Sequence, residues 1–141
     1  MARVLIVGCG CRGQALAREL VTAGHAVRGT TRTEERLPDI EAAGAEAVIA
    51  DPDRLGTLMP QLVGVSVICW LLGSAGPEVN GPRLRSLLEH LVDTPVRGFV
   101  YDAPASAGGA ALVREVSAAW RIPAEIVEPG DSLSAAVARL L

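Results

Sequence analysis

The sequence contains no lysine; all 13 basic residues are arginine. Any mechanism that needs a lysine ammonium is therefore excluded within this chain. Aromatic side chains are almost as scarce, with only Trp70, Phe99, Tyr101 and Trp120 present. The richness in arginine, alanine and glycine is what a GC-rich genome alone would produce. Cysteines number three, Cys9, Cys11 and Cys69, and an odd number argues against a disulfide framework. Cys9 and Cys11, without a second pair of ligands, make a poor zinc site and read as small packing residues beside a turn. Cys11 falls where a helix should start, a position whose dipole could lower a thiol pKa. No apolar run approaches the length of a membrane span. No signal peptide is visible, so the cytosol is the expected compartment. The net charge of −3 comes without a basic cluster, so no nucleic-acid partner is expected.

What remains is enough for one domain. The chain has 141 residues, and half of them are hydrophobic. Short apolar runs alternate with helix-favouring segments that glycines end. The pattern predicts strands over 3–7, 26–30, 45–49, 65–71, 96–101 and 124–127. Helices are expected over 11–23, 33–43, 54–62, 82–92, 110–120 and from 131 or 132 to the end. Asp53 is the expected cap of the third helix, and Asp131 or Ser132 of the last. Pro38 implies a late start or a kink in the second helix, and Pro60 a break near the end of the third. Such alternation gives a doubly wound parallel six-stranded sheet, a Rossmann fold with strand order 3-2-1-4-5-6. No segment is left over for a second, substrate-binding domain.

The first connection carries the chemistry. Gly8, Gly10 and Gly13 stand at G-x-G-x-x-G spacing between an apolar strand and a helix. Gly8 would allow the tight turn, Gly10 the close approach of backbone N–H groups to a pyrophosphate, and Gly13 close helix–strand packing. Dinucleotide choice is read at the end of the second strand, where an acid would bond the ribose 2′-hydroxyl of NAD. That position holds Thr30, Thr31 and then Arg32, with no acid between Arg28 and Thr33. Arg32 could pair with a 2′-phosphate and the threonines could add hydroxyl bonds. Arg12 is a second candidate for a phosphate. NADP(H) is thus favoured over NAD(H). His25 and His90 read as structural, and no serine–histidine–aspartate order stands out. Asp51, Asp53 and Asp102 could face the same crevice, and read first as caps and loop acids.

The stretch VLIVGCGCRGQALARELVTAGHAVRGTTR resembles the start of atypical short-chain dehydrogenase/reductase proteins, of the NmrA-like and epimerase-like branch. AGAEAVIADPDRLGTLMPQLVGVSVICWLLG is similar to their third and fourth strand region, RGFVYDAPAS to their fifth strand, and IPAEIVEPG to a following segment. The resemblance implies that Asp51 approaches the adenine and that Leu72 and Gly73 line the cofactor crevice. It also implies a tyrosine with a lysine four residues later, and a serine after the fifth strand. The chain departs from that pattern. It has no lysine, its one tyrosine lies within the fifth strand, and Asp102 or Ala103 takes the serine position; Ser106 is near but lacks the pair. The family's long C-terminal substrate region is also not found.

These features lead to an NAD(P)-binding protein of sensor or regulatory type as the first expectation. The alternative is an NADP-dependent oxidoreductase that uses unusual residues, such as Asp102 or Tyr101, or residues from a partner subunit. A nucleotide domain like those gating potassium transport usually carries the acid that is missing after strand two. A vestigial site in an interaction module is a fourth reading. The apolar faces of helices four and five are candidates for a homodimer contact.

Overall fold

Four consecutive apolar residues, Val4 to Val7, are all essentially inaccessible to solvent, as are all four of Val67 to Trp70. Strands buried on both faces belong in the middle of a parallel sheet covered by helices on each side. That is their place in the computed structural model, which describes residues 2–72, 79–102 and 107–141. The strands are β1 (Arg3–Val7), β2 (Ala26–Thr31), β3 (Glu46–Ile49), β4 (Val67–Trp70), β5 (Gly98–Asp102) and β6 (Ala124–Val127). They form one parallel six-stranded sheet in the order β3-β2-β1-β4-β5-β6, the expected Rossmann arrangement. The register sets Val7 beside Trp70 and Trp70 beside Tyr101.

Alternation along the strands builds two cores. Leu5, Val7, Ile68, Trp70, Phe99 and Tyr101 face one side. There they meet α3 (Leu55–Leu58), α4 (Leu84–His90) and α5 (Ala107–Trp120). Val4, Ile6, Val67, Cys69 and Val100 face the other side. They are covered by α1 (Cys11–Thr22), α2 (Leu37–Ala42) and α6 (Leu133–Leu140).

Local chemistry explains where the elements depart from expectation. A 3₁₀ turn over Glu34–Arg36 precedes α2, so Pro38 sits in the first helical turn, where its missing N–H does no harm. Helix α3 gives way to a 3₁₀ turn over Met59–Leu62, which contains Pro60. A π turn over Val79–Arg83, with Pro82 inside it, leads into α4. Helix α5 begins at Ala107 rather than Ala110. Its Gly109 faces the Tyr101 hydroxyl so closely that any Cβ would overlap it. Asp53 is not the cap of α3, whose N-cap position is Arg54. Its carboxylate lies 3.5 Å from Arg32 and 3.8 Å from Arg83 instead, where two cations attract it more strongly than a neutral N–H would. Ser132 is the cap of α6, accepting from the Ala135 N–H at 3.1 Å.

Leu84, Leu87, Leu88 and Leu91 all pack into the core against the sheet. The leucine face of α4 is therefore not available to a second subunit. Its outer face carries Arg85, which pairs with Glu115 of α5 at 3.4 Å. Among the described residues, no helix is long and apolar enough to cross a membrane.

Candidate functional site

The carboxyl edge of the sheet holds the glycine turn. Gly8 follows β1 with φ of 84°. A Cβ there would lie 2.6 Å from Leu72 Cδ2 and 3.2 Å from the Leu71 carbonyl oxygen. Gly10 is the N-cap position of α1, and a Cβ on it would meet nothing within 4 Å. At Gly13 a Cβ would stand 3.1 Å from Ile6 Cγ2 and 3.3 Å from Cys9 Sγ. The three positions thus differ in physical role: a left-handed turn, an open approach and a tight helix–strand contact.

Helix α1 has no side-chain cap and no acid in its first turn. The amides of Cys11, Arg12 and Gly13 have no carbonyl a turn earlier in the helix to accept from them. Uncapped amides and the helix dipole favour an anion at this end. The turn is tied to the end of β2 twice. The Gly8 N–H donates to Thr30 Oγ1 at 3.2 Å, and the Cys9 N–H to the Thr30 carbonyl at 2.9 Å. A cleft of about 370 Å³ opens between them, lined by Gly8, Cys9, Gly10, Thr30, Thr31, Arg32, Thr33, Arg36 and Leu72. Six of the expected site residues, Gly8, Gly10, Thr30, Thr31, Arg32 and Leu72, therefore share one cleft. Gly73 and Ser106 lie outside the described residues.

The charges around the cleft are arranged in two groups. On the β2–β3 side, Arg32 lies 3.5 Å from Asp51 and 3.5 Å from Asp53, and Asp53 is also 3.8 Å from Arg83. Asp51 Oδ1 also accepts from the Asp53 N–H at 2.9 Å. Arg36 is exposed on the 3₁₀ turn and has no carboxylate partner among the described residues. Sequence reasoning passed over it as part of a helix; its signal was four-residue spacing from Arg32. On the β5 side, Arg12 pairs with Asp102, with Nη2 to Oδ1 at 3.1 Å and Nε to Oδ2 at 2.9 Å. Arg12 and Arg32 thus point to opposite ends of the crevice.

A larger groove of about 530 Å³ lies between α1 and α6, bordered by Arg18, Thr22, His25, Val137 and Leu141. It is formed by the C-terminal part of α1 and the length of α6, and none of the motif glycines lines it. Size alone therefore does not locate the chemistry; oriented amides and the switch in strand order do.

Residues 8–120 match the model of a family described as NAD(P)H-binding. The chain belongs to that NAD(P)H-binding family. Solved structures with the same fold include an oxidoreductase of the short-chain dehydrogenase/reductase family from Aeromonas hydrophila. It is 14% identical, with a TM-score of 0.71 over 99% of this chain and 89% of that one. Vestitone reductase from alfalfa is 16% identical, with a TM-score of 0.70 over 91% of this chain and 56% of its own. Yeast methylglyoxal/isovaleraldehyde reductase, solved with NADPH, is 13% identical, with a TM-score of 0.70 over 91% and 54%. This chain thus spans about half the length of the last two, and at these identities the likeness is one of fold. No curated protein sequence matches.

The remaining candidates of this NAD(P)H-binding domain differ in their exposure. Tyr101 is fully buried, and desolvation followed by the Asp102 charge raises its pKa above the ordinary phenol value. Cys9 is buried beside Gly13 and Gly29, and desolvation pushes its thiol up to about 11. Cys69 is buried in β4 and shifts the same way. Cys11 is exposed. An aromatic disulfide reagent at pH 8 should accordingly modify one thiol per native chain and three per denatured chain. Rapid reaction of more than one native thiol would contradict this burial pattern. Among the described residues, no cluster of metal-ligating side chains occurs.

Proposed function

We propose that the chain binds NADP(H) in preference to NAD(H), as a sensor or regulatory protein rather than as a hydride-transfer enzyme of the usual kind. The observation that carries the preference is the pair Arg32 and Arg36 on the cleft at the end of β2, beside the hydroxyls of Thr30 and Thr31. A 2′-phosphate needs such cations and a 2′-hydroxyl does not. Asp51 and Asp53 pair with Arg32, whereas Arg36 makes no ion pair among the described residues. The glycine turn and the first turn of α1 would take the diphosphate, and Leu72 would border the crevice. A bound nicotinamide would bring its own capacity for hydride exchange, and the residues named here would hold the diphosphate and the 2′-phosphate.

Two features support a binding role. The sequence has no lysine to accompany a tyrosine, and Tyr101 is enclosed between β5 and α5. An oxidoreductase using Asp102 or Tyr101 is less well supported, since both oxygens of Asp102 are held by Arg12. If a second copy of the chain docks through helix α5, exposed Trp120 at its end is the side chain it would cover.

Thermal unfolding with each nucleotide tests the reading. At a hundredfold excess over Kd, NADPH should stabilise the fold by about 2.7 kcal/mol. That corresponds to a rise of roughly 10 °C in Tm for a domain of this size. NADH at the same concentration should raise it by less than about half as much. No shift with either dinucleotide would sink the proposal, and a larger shift with NADH would reverse the preference. Turnover of nicotinamide absorbance with a panel of carbonyl substrates would overturn the non-catalytic part.

A further inference from the structure

Arg12 stands at the second position of α1, beside the amides that the dinucleotide reading assigns to a diphosphate. Its side chain does not turn toward those amides. It reaches across to Asp102, the last residue of β5. Strand β4 lies between β1 and β5, so the pair spans two strand spacings, about 9–10 Å. Asp102 follows Tyr101 in the strand alternation and so faces the α1 side of the sheet, as Val100 does. Its carboxylate is only 10% exposed, while the Arg12 side chain is 49% exposed. Both carboxylate oxygens are engaged, one by Nη2 and one by Nε. The carboxylate is thus the enclosed member of the pair and the guanidinium the solvent-facing one.

Resting on the dinucleotide reading above, we propose that Asp102 limits the affinity of the site by holding the Arg12 guanidinium away from the diphosphate. Arg12 has one guanidinium and two anions to choose between. To reach a diphosphate at the start of α1 it must leave Asp102, and the carboxylate then loses both of its charged hydrogen bonds. That loss subtracts from whatever Arg12 gains, so a strong cation beside the phosphates contributes little net affinity. A neutral side chain at position 102 would release the guanidinium without disturbing the glycine turn.

Asp102→Asn keeps the shape and one acceptor while removing the charge. Calorimetric titration of the whole chain with NADPH and with adenosine 2′,5′-bisphosphate, which lacks the diphosphate bridge, reads the effect. Asp102→Asn should bind NADPH about tenfold more tightly than the unaltered chain, with adenosine 2′,5′-bisphosphate unchanged within about twofold. In an Arg12→Gln background the same substitution should change NADPH affinity by less than about twofold. Weaker NADPH binding by Asp102→Asn, or a gain that survives loss of Arg12, overturns the proposal. Asp102→Ser, which leaves a hydroxyl for Arg12, gives the same reading if the asparagine variant does not fold. Failure of every variant and of the unaltered chain to bind either ligand would sink the dinucleotide reading and this proposal with it. Equal NADPH affinities throughout would sink this proposal alone.

Discussion

Gly8→Ala should melt about 10 °C below the unaltered chain and lose its response to NADPH. Two costs add at this position. A φ of 84° is left-handed, which costs a residue with a Cβ about 1–2 kcal/mol. The new methyl would also lie 2.6 Å from Leu72 Cδ2 and 3.2 Å from a backbone oxygen that cannot move aside. Overpacking of that kind costs about 1–3 kcal/mol. The sum, about 3 kcal/mol, corresponds to roughly 10 °C in Tm for a chain of this length. Adding Leu72→Ala should return part of the loss, because it relieves the side-chain overlap and leaves the backbone conformation strained. Gly10→Ala is the informative contrast. A Cβ there meets nothing, so Tm should stay within about 2 °C while NADPH binding falls. Differential scanning fluorimetry with and without nucleotide measures both. A Gly8→Ala chain as stable as the original would show that the turn tolerates a side chain.

Arg32→Asp should reverse the nucleotide preference. In the unaltered chain, one guanidinium sits between Asp51 and Asp53, each at 3.5 Å. The substitution removes that cation and leaves three carboxylates where a 2′-phosphate would sit. Losing a charge-assisted hydrogen bond costs about 1.5–3 kcal/mol, before any repulsion is counted. NADPH affinity should fall at least about a hundredfold, while NADH, with only a hydroxyl to place there, should bind as well as before or better. Arg36→Ala keeps Arg32 and its two aspartates, so it should cost NADPH about tenfold and leave NADH alone. Isothermal titration of the two variants with both nucleotides separates these contributions. Unchanged NADPH affinity in Arg32→Asp would show that the arginine is only a surface ion pair.

The strand order was readable because each strand is a short apolar run and each connection has its own stop signal. The same local reading located Gly8, Gly10 and Gly13, whose three roles appear as distinct surroundings. It failed where the deciding neighbour is distant in sequence. Arg12 and Asp102 are 90 positions apart, and only the placing of β5 two strands from β1 brings them together. Asp53 looks like a cap from its place before a helix, yet two arginines outbid the backbone N–H groups for its carboxylate. The small-residue run before Ala110 reads as loop by propensity. Close packing against Tyr101 makes it the first turn of α5, and glycine is what fits there. Arg36 reads as one turn of a helix from its place after Thr33, whereas a 3₁₀ turn over Glu34–Arg36 brings it to the cleft.

The two cores also differ in when they can be completed. The one under α3, α4 and α5 joins Leu5 and Val7 of β1 to residues from Ala50 to Ile122. The other joins Leu16, Ala17 and Leu20 of α1 to Leu133, Ala136 and Val137 of α6 across the same sheet face. During synthesis that face must wait, with Val67, Cys69 and Val100 laid down but uncovered, until the last helix emerges. The helix that carries the glycine turn thus shares its core with an element more than 100 positions away.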